Sequence, residues 1–158
     1  MGRYYNTALG RSGKFGFGCQ PSDDPGEFFG MYPISCQYEI YDDESGKGNE
    51  KVWRIVDSLY DKAGVPKNER IYSFQEKLDG DSDSEWELFR ELYHKYFFRK
   101  ATEAERKSGK NLFAGETNES PEIAAFKDAY LVQSRLWLGL IILSDIKDEG
   151  CCSLDAEM

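Results

Sequence analysis

The stretch over residues 136–143 constrains the fold most, because it is apolar at every position except Gly139. It belongs to a longer segment that begins at residues 120–122, where a capping serine, a proline and an acid are typical of a helix start. A helix that is apolar on all sides must be covered on all sides, by its own domain or by a partner chain. The sequence therefore predicts a long C-terminal helix at the centre of the fold, with a monomer favoured over a homodimer.

Size and composition are those of a folded domain. The chain has 158 residues, of which 40% are hydrophobic and 15% aromatic, unlike a disordered or fibrous chain. A chain of this length removes roughly 70% of its unfolded surface from water, so its core needs no disulfide or metal to hold it together. We predict one globular domain over residues 1–150, followed by a polar C-terminal tail over residues 151–158.

The charge balance narrows the choice of partners. There are 29 acidic and 20 basic residues, which give a net charge of −9. Proteins that bind nucleic acid need a concentrated positive face to displace counterions, so direct contact with nucleic acid is not expected. The net negative charge is concentrated in two blocks, residues 21–50 and 111–158. An acidic protein that imitates nucleic-acid phosphates is therefore one alternative function.

Secretion and membrane insertion are not expected. The N-terminus lacks the apolar core of a signal peptide, and residues 136–143 are far shorter than the roughly 20 residues of a membrane span. A cytoplasmic location without membrane contact follows, in which Cys19, Cys36, Cys151 and Cys152 are reduced. Their spacing does not match a zinc site, so neither a metal nor another cofactor is expected.

Hydrophobic periodicity predicts an α+β fold. Residues 14–20 and 34–41 alternate with period two, which indicates a short antiparallel β-pair with Cys19 and Cys36 buried on its core side. Residues 52–63 and 84–99 follow helical spacing. A short helix is favoured near residues 71–78, although residues 70–74 could equally form a strand. The prediction is an N-terminal β-pair packed on three to four helices, with the long C-terminal helix central.

The loop over residues 21–33 is the candidate binding site. Thirteen residues are many for a hairpin connection, and loops of this length are usually functional or folded on themselves. Acids beside large apolar side chains are typical of a recognition surface. Alternatively, Asp24-Pro25 starts one helical turn whose phenylalanines plug the end of the core, which the usual burial of large aromatics favours. The candidate binding residues are Asp23, Asp24, Phe28, Phe29, Met31 and Tyr32.

No catalytic residue can be assigned. The glycines around Arg11 and Lys14 do not have the spacing of a phosphate-binding loop, and strand glycines that admit a close neighbour are the favoured interpretation. Acids over residues 79–83 match only the start of a calcium loop. Cys19 and His94 could form a nucleophile and its base, but no third residue can be named to orient the imidazole.

A non-enzymatic binding or inhibitory protein is thus the leading functional hypothesis. It would act on another macromolecule, expected to be a protein, through an acidic and aromatic surface. The alternatives are a small hydrolase-like enzyme that uses carboxylates or Cys19, and the acidic nucleic-acid mimic.

Three short segments near the N-terminus carry a resemblance. Residues 2–5 read GRYY, residues 13–15 read GKF and residues 20–23 read QPSD. Together they resemble the openings of uncharacterised small proteins encoded by large DNA viruses. The resemblance covers about the first twenty-five residues, includes no catalytic motif and implies no activity.

Overall fold

A computed structural model of the chain describes residues 4–14, 20–35, 37–41, 47–73, 91, 95–96 and 121–156. These residues form an α+β fold in which a five-stranded antiparallel sheet packs with two main helices. The strands are β1 Tyr4–Thr7, β2 Ser12–Lys14, β3 Tyr32–Ile34, β4 Gln37–Tyr41 and β5 Cys151–Ala156; the helices are α1 Asp24–Glu27, α2 Lys47–Ala63 and α3 Pro121–Glu149, with a 3₁₀ turn at Lys67–Glu69.

The C-terminal strand β5 lies in the middle of the sheet, whose order is β2-β1-β5-β4-β3. It pairs with β1 on one side and β4 on the other, and so joins two hairpins. The prediction of a polar tail over residues 151–158 is therefore wrong for residues 151–156. Cys152, Leu154 and Ala156 are buried, while the residues between them face outward. Because these outward-facing residues are polar, the sequence of a half-buried strand looked like that of a polar tail.

The predicted pairing of residues 14–20 with 34–41 is also wrong for residues 37–41, while residues 15–19 lie outside the described part of the chain. Strand β4 has β5 and β3 as neighbours, whereas β2 pairs with β1. The predicted second strand is interrupted at Ser35, whose φ of 55° marks the turn between β3 and β4. Ile34 belongs to the predicted second strand but lies before this turn, and its side chain is exposed. Cys19 and Cys36 lie outside the described residues, so their burial stays a prediction.

Helix α3 confirms the prediction of a long C-terminal helix within the core. It packs against the sheet and α2, and every residue from 138 to 146 is buried. Gly150 ends the helix at a φ of 74° and donates its N–H to the Ile146 carbonyl at 2.7 Å. Residues of one chain thus cover this part of α3 on all sides, which removes the need for a second copy to cover it; the monomer stays a prediction.

The segment Lys127–Glu149 within α3 is long and apolar enough to cross a membrane, by length and composition alone. Its mean hydropathy is 1.3 over the most apolar window, and 67% of that window is buried inside the fold. Such burial is typical of a core helix, which meets the same two criteria.

Helix α2 confirms the helical spacing of residues 52–63 and begins a few residues earlier. It approaches α3 closely at Gly139, where an added Cβ would lie 2.5 Å from a Val56 methyl carbon and 3.1 Å from the Phe29 ring. A glycine is therefore required at this crossing. Residues 71–73 are not helical, and the rest of that predicted helix lies outside the described residues, as does nearly all of the predicted helix over 84–99.

Candidate binding surface on the outer face of the sheet

The loop over residues 21–33 turns back on itself through α1 and is bonded to α3. Asp24 is only 2% exposed. Its carboxylate accepts hydrogen bonds from Arg135 Nε at 2.9 Å and Nη2 at 3.1 Å, and charge-assisted pairs of this two-point kind are strong and specific in geometry. Asp24 thus secures the loop to the helix rather than facing a partner.

Most of the predicted apolar site residues lie in the core or pack against it. Phe29 and Met31 are buried, and Phe28 is half-buried, with its ring edge-on to Phe29 at a centroid distance of 5.1 Å. Asp23 is half-buried as well. These positions match the core-plug interpretation of the loop. Among the six predicted binding residues, only Tyr32 presents a large apolar side chain that is mostly exposed, at 79%.

Tyr32 belongs to a surface that we call the outer face. Residues opposite one another in neighbouring strands point to the same side of a sheet. Tyr32 pairs with Glu39 and Ile34 with Gln37, and β4 continues the same rows into β5. The outer face on these three strands consists of Tyr32, Ile34, Gln37, Glu39, Tyr41, Cys151, Ser153 and Asp155.

Large apolar side chains are concentrated on this face. Besides Tyr32, Ile34 is 52% exposed and Tyr41 is 63% exposed. The opposite face of the same strands carries Ile40 and Leu154, which are buried. The hydrophobic effect therefore fixes the register of the strands from the inside, while three large side chains remain in water on the outside.

Glu39 lies at the centre of the outer face and is held from two sides. Its Oε2 accepts a hydrogen bond from the Tyr41 hydroxyl at 2.7 Å, and its Oε1 accepts one from Ser153 Oγ at 3.4 Å. None of the described Lys or Arg side chains forms an ion pair with it. The hydrogen bond to Glu39 and its negative charge raise the pKa of Tyr41 above its ordinary value of 10.0.

Replacing Glu39 by glutamine should lower the pKa of Tyr41 toward 10.0. The amide oxygen can still accept the hydroxyl hydrogen bond, but the negative charge that disfavours the phenolate is gone. An NMR titration of the Tyr41 ring carbons measures this change directly. Glu50→Gln on α2 is the matched control and should leave the pKa of Tyr41 unaltered. An unchanged titration in Glu39→Gln would contradict the observed contact.

Two pairs of carboxylates among the described residues are engaged in ion pairs with arginines. Asp57 and Asp61 accept from Arg70 at 2.7 and 2.6 Å. Asp145 and Asp148 accept from one buried arginine at 2.7 and 2.5 Å. A guanidinium bound to a carboxylate occupies acceptor positions that a general base needs for the proton it takes up. The described part of the chain therefore offers no free pair of these carboxylates for catalysis.

The other candidates from the sequence are the cysteines, the histidine and possible metal ligands. Burial raises the pKa of the Cys152 thiol far above its usual range, which keeps it protonated. Among the described residues, no three His, Cys, Asp or Glu side chains come close enough together to hold a metal ion. Cys19, His94 and the acids over residues 79–83 lie outside the described residues. The hydrolase alternative therefore stays a hypothesis.

Gly13, in the glycine-rich segment near the N-terminus, serves packing. A Cβ at Gly13 would collide with the Trp137 ring, whose Nε1 donates to the Ser12 carbonyl at 3.1 Å. Arg11 is buried and bound to acids of α3, so it is not displayed to a phosphate. Strand glycines that admit a close neighbour are therefore what the structure shows at this position.

Sequence reasoning missed Ile34, Glu39 and Tyr41 as site residues. The period-two pattern over residues 34–41 was the available signal, since Glu39 and Tyr41 alternate with the buried Ile40. What the pattern could not show is that Tyr32 would be brought opposite Glu39 by the β3–β4 hairpin. No protein-family model, curated protein or solved structure was found to match the chain.

Proposed function

We propose that this chain is a non-enzymatic binding protein that engages another protein through the outer face of its sheet. The observation that carries the proposal is the exposure of Tyr32, Ile34 and Tyr41 around the carboxylate of Glu39. Aromatic side chains supply much of the binding energy at protein interfaces, and polar groups among them select the partner. The outer face therefore has the acidic and aromatic character that the sequence led us to expect of a binding surface.

The partner is expected to contact the face of the sheet rather than its edge. Strand β3 forms one edge, but it has only three residues and its middle residue is Pro33. Proline has no N–H to donate, and short edge strands that contain it resist pairing with a further strand. Side chains, and not backbone hydrogen bonds, would then provide the affinity.

Rigid strands support the proposed surface. Glu39 and Tyr41 lie on β4, between β5 and β3, and the reverse side of β4 and β5 is packed into the core. Binding by side chains on such strands requires little ordering of the backbone, so less conformational entropy is lost on association than with a loop. This favours the outer face over the rest of the loop at residues 21–33 as the site of binding.

The nucleic-acid mimic is less well supported. Two carboxylates from the acidic blocks, Asp24 and Asp145, are buried and bound to arginines. They contribute to the net charge but not to a displayed row of negative groups. A mimic needs its carboxylates along one exposed surface, in the positions of phosphates.

The triple variant Tyr32→Ser, Ile34→Ser, Tyr41→Ser, which we call the patch variant, tests the proposal. Wild type and variant are immobilised and used to capture proteins from a lysate of the source organism, at low and at high salt. We expect one captured protein to be lost at least about tenfold from the patch variant, since interface aromatics are each worth about 2 kcal/mol or more. Persistence in high salt would show that the apolar anchors dominate.

Leu9→Ser is the matched control, because Leu9 is another exposed large apolar side chain but lies in the turn between β1 and β2. It should capture the same protein as wild type. Circular dichroism establishes that both variants are folded. Equal capture by the wild type and a folded patch variant would refute the proposed function.

A further inference from the structure

We infer that the partner presents an arginine side chain to Glu39, between Tyr32 and Tyr41. This inference rests on the proposed function and specifies the chemistry of its partner. It starts from a carboxylate that is half-buried, held by two hydroxyl groups and without a cation of its own among the described residues. A partly desolvated carboxylate gains most from a charge-assisted hydrogen bond.

Two clusters elsewhere in the chain pair a carboxylate and an aromatic ring with an arginine, which no described arginine does on the outer face. In the first, Arg135 binds the Asp24 carboxylate at two points and lies 4.0 Å above the Phe28 ring centroid. The guanidinium is thus held by a carboxylate and an aromatic ring together. Such stacking adds a cation–π attraction to the ion pair.

The second cluster resembles the outer face more closely in its chemistry. Asp57 accepts a hydrogen bond from the Tyr72 hydroxyl at 2.7 Å, as Glu39 does from Tyr41, and also binds Arg70 at 2.7 Å. The Arg70 guanidinium lies 5.6 Å from the Tyr60 ring centroid. A tyrosine-bound carboxylate beside a second aromatic ring is therefore completed by an arginine here. At Glu39 the carboxylate and both tyrosines are present, and none of the described arginines binds it.

Glu39 retains the capacity to bind a guanidinium at two points. Each carboxylate oxygen has two acceptor positions, and the contacts with Tyr41 and Ser153 use one on each oxygen. The remaining positions match the two parallel donors of an arginine, whereas a lysine ammonium is a single point charge. Arginine also stacks on aromatic faces better than lysine does, which suits the exposed rings of Tyr32 and Tyr41.

The surrounding charge favours a cationic partner segment. Asp155 is exposed on the outer face, opposite Gln37. In the sequence, Tyr41 is followed directly by the three acids of residues 42–44. Complementary charge raises the association rate and discourages acidic partners.

Binding of short synthetic peptides tests the inference. A peptide that alternates serine and arginine is titrated into the protein at physiological ionic strength, and backbone amide shifts are followed by NMR. We expect shifts over residues 32–41 and 151–155. Counterparts with lysine or with citrulline, the uncharged analogue of arginine, should bind more weakly. Absence of shifts up to millimolar peptide, or equal binding of the lysine or citrulline peptide, would overturn the inference.

Paired variants separate a specific site from general attraction to an acidic protein. Glu39→Gln should weaken binding of the arginine peptide about tenfold to a hundredfold, as expected for hydrogen bonds between charged groups. Glu50→Gln makes the same change in net charge on α2, where the side chain is exposed, and should alter the affinity less than about twofold. Equal weakening by both variants would overturn the inference.

Capture from lysate distinguishes failure of the inference from failure of the proposed function. If the patch variant loses the captured protein and Glu39→Gln retains it in full, the binding function stands and the arginine contact does not. If the patch variant retains it, the proposed function itself fails. Loss of the captured protein from both variants supports both proposals.

Discussion

Replacing Phe29 by alanine is expected to lower the free energy of unfolding by about 3–5 kcal/mol. The Phe29 side chain is fully buried and packs beside the close crossing of α2 and α3 at Gly139. Truncation removes its apolar surface from the core and leaves a cavity that these closely packed helices cannot fill. Urea denaturation followed by far-UV circular dichroism measures the change.

Tyr32→Ala is the matched control for this prediction. Tyr32 is three residues away in the chain but lies mostly in water, so its removal should change the unfolding free energy by no more than about 0.5 kcal/mol. A similarly small effect of Phe29→Ala would show that Phe29 is not a core residue and would restore the loop as a recognition element. The pair thus separates the two interpretations of residues 21–33 without any knowledge of the partner.

Replacing Arg11 by methionine is expected to cost about 3–5 kcal/mol at neutral pH. Arg11 is buried in the turn after β1 and binds Asp145 and Asp148 of α3 at 2.7 and 2.5 Å. Its removal leaves the fully buried Asp145 without a cation, and an uncompensated buried charge is strongly destabilising. Arg54→Met is the control, because the ion pair of Arg54 with Glu50 is exposed and should contribute about 0–1 kcal/mol.

The loss caused by Arg11→Met should shrink in acid. Burial, the largest effect, raises the folded-state pKa of Asp145 above 3.8, although Arg11 opposes it. Because the pKa of Asp145 is raised on folding, its protonated form stabilises the fold. This contribution is fully present at a pH below the unfolded-state pKa and is lost as the pH rises through the folded-state pKa. Without Arg11 the folded-state pKa of Asp145 rises further, so protonation of Asp145 in acid stabilises the variant more than the wild type. Urea unfolding at several pH values measures the difference.

The double variant Arg11→Met, Asp145→Leu provides the second arm of this test. It removes the fully buried carboxylate together with its cation. Apolar replacements of buried ion pairs often leave the stability of a protein unchanged or raise it. It should therefore recover most of the stability lost in the single variant, since Asp148 is partly exposed. A double variant as unstable as the single one would show that Arg11 acts through packing and not through charge.

The helices were predictable because their signals are local. In α2, Val52, Val56, Leu59 and Tyr60 recur at the spacing of one helix face, and all are buried. In α3 an apolar run lies between a proline at the start of the helix and a glycine just after its end. Each signal depends on neighbours within a few residues, where the geometry of the α-helix leaves one outcome.

The candidate site was predictable only in part. Tyr32 lies on the outer face as an acidic and aromatic surface requires, whereas Phe29, Met31 and Asp24 were proposed for binding and are buried. All four occur in one short loop with similar composition. Burial of an aromatic or an acid depends on what the rest of the chain brings to it, here Arg135 and Gly139 of α3.

What the sequence determined by itself was the α+β class, helix α2 and the long core helix α3. What only the tertiary structure decided was the arrangement of the sheet, with β5 at its centre and Tyr32 opposite Glu39. Alternation with period two shows that a segment can be half-buried in a sheet, but any two such segments can pair in principle. The partner and the register depend on contacts between residues far apart in the chain. The outer face is a product of those contacts.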